Sequence, residues 1–103
     1  VEDVARCNLA AVESTVKFGY YNVGSEVQTS IKELCDTILD LKGSNLTVKY
    51  LPYSADDARQ LVQNRIGSRE NAEKDLKFKF NYSVREGLQK LIDWRLANGI
   101  DKA

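Results

Sequence analysis

The chain has 103 residues, enough for one small domain, and a domain of that size buries roughly 60–70% of its unfolded surface. Its 15 basic and 15 acidic residues cancel, so the electrostatic footprint of a nucleic-acid binder is missing. Hydrophobic residues make up 43% and charged residues 29%, as in ordinary globular proteins, and no apolar run approaches the roughly 20 residues of a membrane span.

From Val1 to about Ser14, the apolar residues Val1, Ala5, Leu9 and Val12 recur at steps of 4, 4 and 3. That spacing predicts a helix with these four on one face. Lys17 to Gly24 carries Phe18, Tyr20, Tyr21 and Val23 and ends on glycine, the composition of a short, largely buried strand. Ser30 and Glu33 form a capping box. Ile31, Leu34, Cys35, Ile38 and Leu39 then follow at helical spacing, and Gly43 supplies a left-handed stop.

Leu46 to Leu51 alternates through Thr47 and Lys49 and predicts a second strand, ended by Pro52. Tyr53 to Ser68 is polar and irregular, the signature of a loop with an extended stretch near Leu61–Ile66. Ser68 is placed to cap a short helix reaching about Leu76, with Ala72 and Leu76 inward. Ser83 and Glu86 repeat the capping box and open a helix with Val84, Leu88, Leu91 and Ile92 on one face. Asn98-Gly99 closes it. The expected fold class is α+β: one small domain over residues 1–103, with about four helices and two or three short strands.

Chemistry is constrained more by what is missing. The chain has no His, which rules out Ser-His and Cys-His nucleophile pairs and imidazole zinc sites within it. Cys7 and Cys35 fall in apolar helical contexts and read as buried reduced thiols, with a disulfide or a reactive thiol as the alternatives. Reduced thiols suit a cytoplasmic setting. The six glycines are scattered and none forms the Gly-x-Gly-x-x-Gly turn that brings backbone N–H groups to a pyrophosphate. Without an initiator Met, the chain reads as an excised or truncated piece.

Four motifs stand in a telling order: Val1-Glu2-Asp3-Val4-Ala5, Tyr21-Asn22-Val23-Gly24, Thr29-Ser30-Ile31, and Ser83-Val84-Arg85-Glu86-Gly87-Leu88 leading to Ile92-Asp93-Trp94. Each is common by itself. Together they resemble the C-terminal, substrate-binding part of the NAD-dependent nucleotide-sugar epimerases and dehydratases, the extended short-chain dehydrogenases. The resemblance implies the C-terminal lobe of such an enzyme, with the nicotinamide-binding Rossmann lobe missing. A missing lobe would leave apolar surface exposed on the first helix and on the Phe18–Val23 stretch, either as a large open patch or covered by self-association. Its general acid/base would be a tyrosine with lysine four residues on. The residues four after Tyr20, Tyr21, Tyr50, Tyr53 and Tyr82 are Gly24, Ser25, Ser54, Asp57 and Glu86. Neither the base nor a cofactor site is therefore expected here; NAD would belong to the parent enzyme.

Two departures bear on the substrate site. Relatives often carry Arg-x-Gly-Asp before the third helix, its arginine gripping nucleotide phosphates. Here that region reads Ser54-Ala55-Asp56-Asp57-Ala58-Arg59, and alignment puts Ser54 or Ala58 at the arginine position. Arg59 is the preferred phosphate contact, since a guanidinium binds such oxygens bidentately. Arg65 is the second choice, and Asp57 a candidate to orient an arginine or meet a sugar hydroxyl; a solvated loop charge is the alternative for each. The other departure is Leu76-Lys77-Phe78, where relatives have glycine after leucine; a left-handed Lys77 would cost roughly 1 kcal/mol. Tyr20, Tyr21 and Trp94 read as core or interface rather than a base-stacking shelf, and Lys77-Phe78-Lys79-Phe80 as a segment docking its aromatics inward.

The function implied is the nucleotide-sugar-binding portion of an epimerase, favoured over a dehydratase or decarboxylase. The alternative is a stand-alone, non-catalytic binding or oligomerisation module derived from such an enzyme. The expected partners are a nucleotide-sugar through the parent, the missing Rossmann lobe, and a homo-oligomer, with no nucleic acid or membrane.

Overall fold

The computed structural model describes residues 1–60, 62 and 64–99, with the side chains of 58–60 outside that description. Its elements are α1 (Glu2–Glu13), α2 (Ile31–Lys42), α3 (Ala55–Gln60), α4 (Glu70–Leu76) and α5 (Val84–Ala97). Among the described residues there is no strand, so the α+β expectation is corrected to all-α. The chain divides into two compact units, Val1–Gln28 with the segment from Ile66 onward, and Thr29–Arg65.

In the first unit α1 packs on α4. Cys7, Ala72, Leu76 and Phe78 form the buried cluster, with Ala10, Val16, Tyr21, Val23 and Phe80 against it. Ala72 and Leu76 thus point inward as expected, and the aromatics of the Lys-Phe strip dock. The apolar stripe of α1 lies open, as expected of a helix whose covering lobe is missing, and a different face turns inward. Leu9 and Val12 are 56% and 82% exposed, Val1 and Val4 are exposed too, and Cys7 is 3% exposed. Small side chains explain the choice, because Cys7 and Ala10 let α1 approach Ala72 closely. Asp3 and Arg6 share that inner side and find backbone partners there. The Asp3 carboxylate accepts the N–H of Asn81 and of Tyr82, each at 3.2 Å, and Arg6 donates to the Lys79 carbonyl at 2.6 Å.

Local signals held where the chemistry is local. Ser83 and Glu86 close both halves of the capping box at α5. Ser68, expected to cap α4, accepts the Glu70 N–H at 3.3 Å, but the cap position is Arg69 and has no side-chain cap bond; α4 ends on Lys77 in the left-handed region at φ 52°, ψ 33°. Ile92 is the buried residue of α5; Leu91, expected on the same face, is exposed.

The second unit holds α2 and α3. Ser30 and Glu33 form the reciprocal cap, and Gly43 ends α2 at φ 59°. Leu34, Cys35, Leu39 and Leu41 are half-buried, and no described residue of this unit is fully buried. The buried thiol expected at Cys35 is therefore corrected to a half-buried one; both cysteines are free.

The expected strands fail for want of ladders. Residues 17–24 keep a strand's alternation: Tyr21 and Val23 lie against the core while Phe18 and Tyr20 are 78% and 83% exposed. No neighbour supplies backbone pairing among the described residues. At 46–51, Leu46, Tyr50 and Leu51 are exposed, so no apolar face is buried to hold a register. Of the expected extended stretch 61–66, Leu61 and Gln63 lie outside the described residues, and the rest is irregular. The expected 53–68 loop instead contains α3. No helix among the described residues is long and apolar enough to cross a membrane.

Candidate functional site

The three residues singled out from the sequence all belong to the second unit. Ser54 starts α3: its hydroxyl accepts the Asp57 N–H at 3.1 Å and donates to the Asp57 carboxylate. Asp57 is thus engaged in capping, and with Asp56 it places negative charge in the first turn, where the helix dipole favours it. The backbone of Arg59 lies in α3, and its side chain falls outside the described residues. Arg65 is exposed and outside any helix, one residue before Ile66. The structure brings Asp57 and Arg59 onto one short helix and leaves Arg65 apart. The helix was legible as Ser54-x-x-Asp57, a cap pattern of the kind read correctly at Ser30 and Ser83.

The first unit has an open groove of about 440 Å³ lined by Arg69, Glu73, Lys77, Phe78, Lys79 and Phe80. Its floor is aromatic, with Phe78 and Phe80 edge-to-face at 4.9 Å. The Arg69 guanidinium lies over Phe80 at 5.7 Å and pairs with Glu73 at 2.9 Å and Glu26 at 3.7 Å. Glu26 also accepts the Arg69 N–H at 2.7 Å. That bond first, then the Ser68 hydroxyl, holds the Glu26 carboxyl below its ordinary value. Arg69 is therefore matched by two carboxylates. Only the Lys-Phe alternation pointed to this groove in advance.

Two tyrosines meet charged neighbours. Tyr21 donates to Asp75 at 3.1 Å; partial desolvation, then Asp75, push its pKa up, the opposite of what a phenolate base needs. Lys90 donates to the Tyr82 hydroxyl at 3.1 Å and to both oxygens of Glu2 at 2.8 Å. Glu2 first, then Tyr82, raises the Lys90 pKa.

The residues present do not fit a nicotinamide dinucleotide. Pyrophosphate needs a free helix N-terminus behind a glycine turn. Gly43 and Gly99 instead sit at helix ends with positive φ, Gly87 lies within α5, and Gly19 and Gly24 lie in irregular segments well before a helix; Gly67, two residues ahead of the Arg69 cap of α4, is a lone glycine leading into an acidic first turn at Glu70 and Glu73. The N-termini of α2 and α5 are filled by the chain's own Glu33 and Glu86. The Ser30 N–H and hydroxyl hold Glu33 below its ordinary pKa, and Ser83 does the same for Glu86. Among the described residues no cluster of ligating side chains could hold a metal ion.

The chain matches two crystal structures of the Bordetella bronchiseptica enzyme WbmF. One, in complex with NAD+ and UDP, is 34% identical with a TM-score of 0.74, covering 94% of this chain and 27% of that chain. The other, in complex with NADH, is 35% identical with a TM-score of 0.75, covering 94% of this chain and 28% of that chain. The chain thus spans little more than a quarter of the length of the enzyme chains it matches. The resemblance to the NAD-dependent nucleotide-sugar epimerase/dehydratase family is thereby shown, in sequence and in fold. No protein-family model matches the chain, and no curated protein matches it.

Proposed function

We propose that this chain is the C-terminal, nucleotide-sugar-binding portion of a cytoplasmic NAD-dependent epimerase, with the cofactor and the acid/base residues supplied by the remainder of the parent enzyme. The observation that carries the reading is the match over 94% of the chain to part of an enzyme seen with NAD+ and UDP. The chain's own lack of a pyrophosphate turn suits a division of labour in which it contacts substrate. Arg59 is the proposed phosphate contact, Arg65 a weaker second, and Asp57 serves them only by setting the start of α3.

Calorimetric titration of UDP into the parent enzyme tests this. Arg59→Ala removes a charge-assisted bond of roughly 1.5–3 kcal/mol and should weaken binding about ten- to a hundredfold, with Arg65→Ala doing less. Unchanged UDP affinity in Arg59→Ala would leave Arg59 a solvated charge and sink its assigned role.

A further inference from the structure

We propose that the groove along α4 is a binding site for a small aromatic carboxylate, its anionic head held by the Lys77 and Lys79 ammonium groups and its ring lying against Phe78 and Phe80. All the lining residues belong to the first unit, and the site is independent of the role given to Arg59.

Arg69, Glu73 and Lys77 recur at steps of four, which sets them in one row along α4. Arg69 stands at the N-cap and Lys77 at the C-cap. Lys79 and the two phenylalanines line the same groove, whose volume of about 440 Å³ suits a small ligand. Phe78 is 4% exposed and Phe80 is half-buried, so the floor is apolar and held in place. Glu73 pairs with Arg69 at 2.9 Å rather than with Lys77. Neither the Lys77 nor the Lys79 side chain has an ion pair among the described residues.

Charge selects the ligand. Arg69 answers one of the carboxylates Glu26 and Glu73, and the two lysines outnumber the other. The groove is left with one net positive charge, which attracts an anion more strongly beside an apolar wall than in open water. A carboxylate matches that charge. A phosphate monoester, close to two negative charges at neutral pH, exceeds it and would be repelled by Glu73.

The backbone gives independent support. Lys77 is left-handed at φ 52°, where glycine, the usual residue of relatives, would avoid the steric cost. The chain gives up stability at a position whose side chain lines the groove with charge, the pattern of a binding residue.

Calorimetric titration of phenylacetate into the 103-residue chain tests the site, with acetate supplying the head alone and benzyl alcohol the ring alone. Phenylacetate should bind saturably, about tenfold or more tighter than either. Lys79→Gln should weaken it about three- to tenfold. Lys77→Gly should do the same while raising the melting temperature, and Lys77→Gln should do so without that gain. Lys49→Gln, which removes an exposed lysine of the second unit, should change nothing. No saturable heat at millimolar phenylacetate, equal binding of acetate or benzyl alcohol, full affinity in Lys77→Gly, or an equal loss in Lys49→Gln would overturn the proposal. So would displacement of phenylacetate by UDP, which would assign the groove to the nucleotide.

Discussion

Asp3 and Tyr82, 79 positions apart, are joined by a 3.2 Å hydrogen bond from the Tyr82 N–H to the Asp3 carboxylate. The same carboxylate holds the Asn81 N–H and the Arg6 guanidinium. One side chain from the first turn of α1 therefore fixes the approach to α5. The acidic residue of the opening Val-x-Asp-Val-Ala motif is structural here.

Asp3→Ala leaves two backbone donors and a guanidinium without their acceptor. We expect a loss of about 1–3 kcal/mol, or roughly 4–8 °C in melting temperature per kcal/mol for a domain of this size. Thermal unfolding by circular dichroism measures it. Asp3→Asn should cost less, since its amide oxygen still accepts one N–H.

Acid should destabilise the fold through the same carboxylate. Partial desolvation alone would raise the Asp3 pKa; the N–H groups of Asn81 and Tyr82, then Arg6, outweigh it and leave the value lowered. Glu33 and Glu86 are lowered by their capping bonds. A depressed folded value means stability that is present above the ordinary carboxylate range and lost as pH falls through the folded value. The melting temperature should hold at neutral pH and drop below about pH 4, less steeply in Asp3→Asn. A flat acid limb would show that these bonds contribute nothing.

Lys77→Gly should stabilise. Lys77 sits at φ 52°, where a side chain costs roughly 1 kcal/mol that glycine avoids. Because glycine also loosens the unfolded chain, the net gain should fall somewhat under that figure. A lower melting temperature in Lys77→Gly would mean that the Lys77 side chain contributes more than its backbone costs.

The two thiols should differ in reactivity. Cys7 is 3% exposed within the α1–α4 contact and should resist alkylation until the chain unfolds, whereas half-buried Cys35 should label under native conditions. Mass spectrometry after brief iodoacetamide treatment gives the ratio. Equal labelling would mean that α1 opens readily from α4.

These residues also show what could be read in advance. Ser30, Gly43 and Ser83 were legible because a cap is settled within four residues of chain, whereas the left-handed Lys77 was flagged only by the glycine that relatives carry there. Ser54 carried the same code, unread because Pro52 and the polar run around it looked like loop. The apolar stripe of α1 was legible from its spacing, but only packing against Ala72 decided that Cys7 and Ala10 face inward in this chain. The 17–24 segment has a strand's composition and alternation, but a strand exists only with a ladder partner, which no local pattern can announce. In the candidate site, the sequence singled out Asp57 and Arg59 but showed neither the helix on which their backbone lies nor the cap that occupies Asp57.

The last expectation concerns the cofactor. NAD binding requires N–H groups free to converge on a pyrophosphate, yet α2 and α5 spend theirs on Glu33 and Glu86, α3 bonds its own Asp57 N–H to Ser54, and α1 opens on Glu2 and Asp3. Among the described residues the first turn of every helix carries acidic side chains, Glu70 and Glu73 in α4 included, so a phosphate arriving there would meet like charge. Calorimetric titration of NAD into the isolated chain should therefore show no saturable heat at millimolar ligand. Glu33→Gln with Glu86→Gln would remove two of the opposing charges and should still produce no site, because no glycine turn precedes either helix. Micromolar binding to the unsubstituted chain would mean that the fold closes a pocket around the dinucleotide that its free form does not display, and would move the cofactor site into this part of the enzyme.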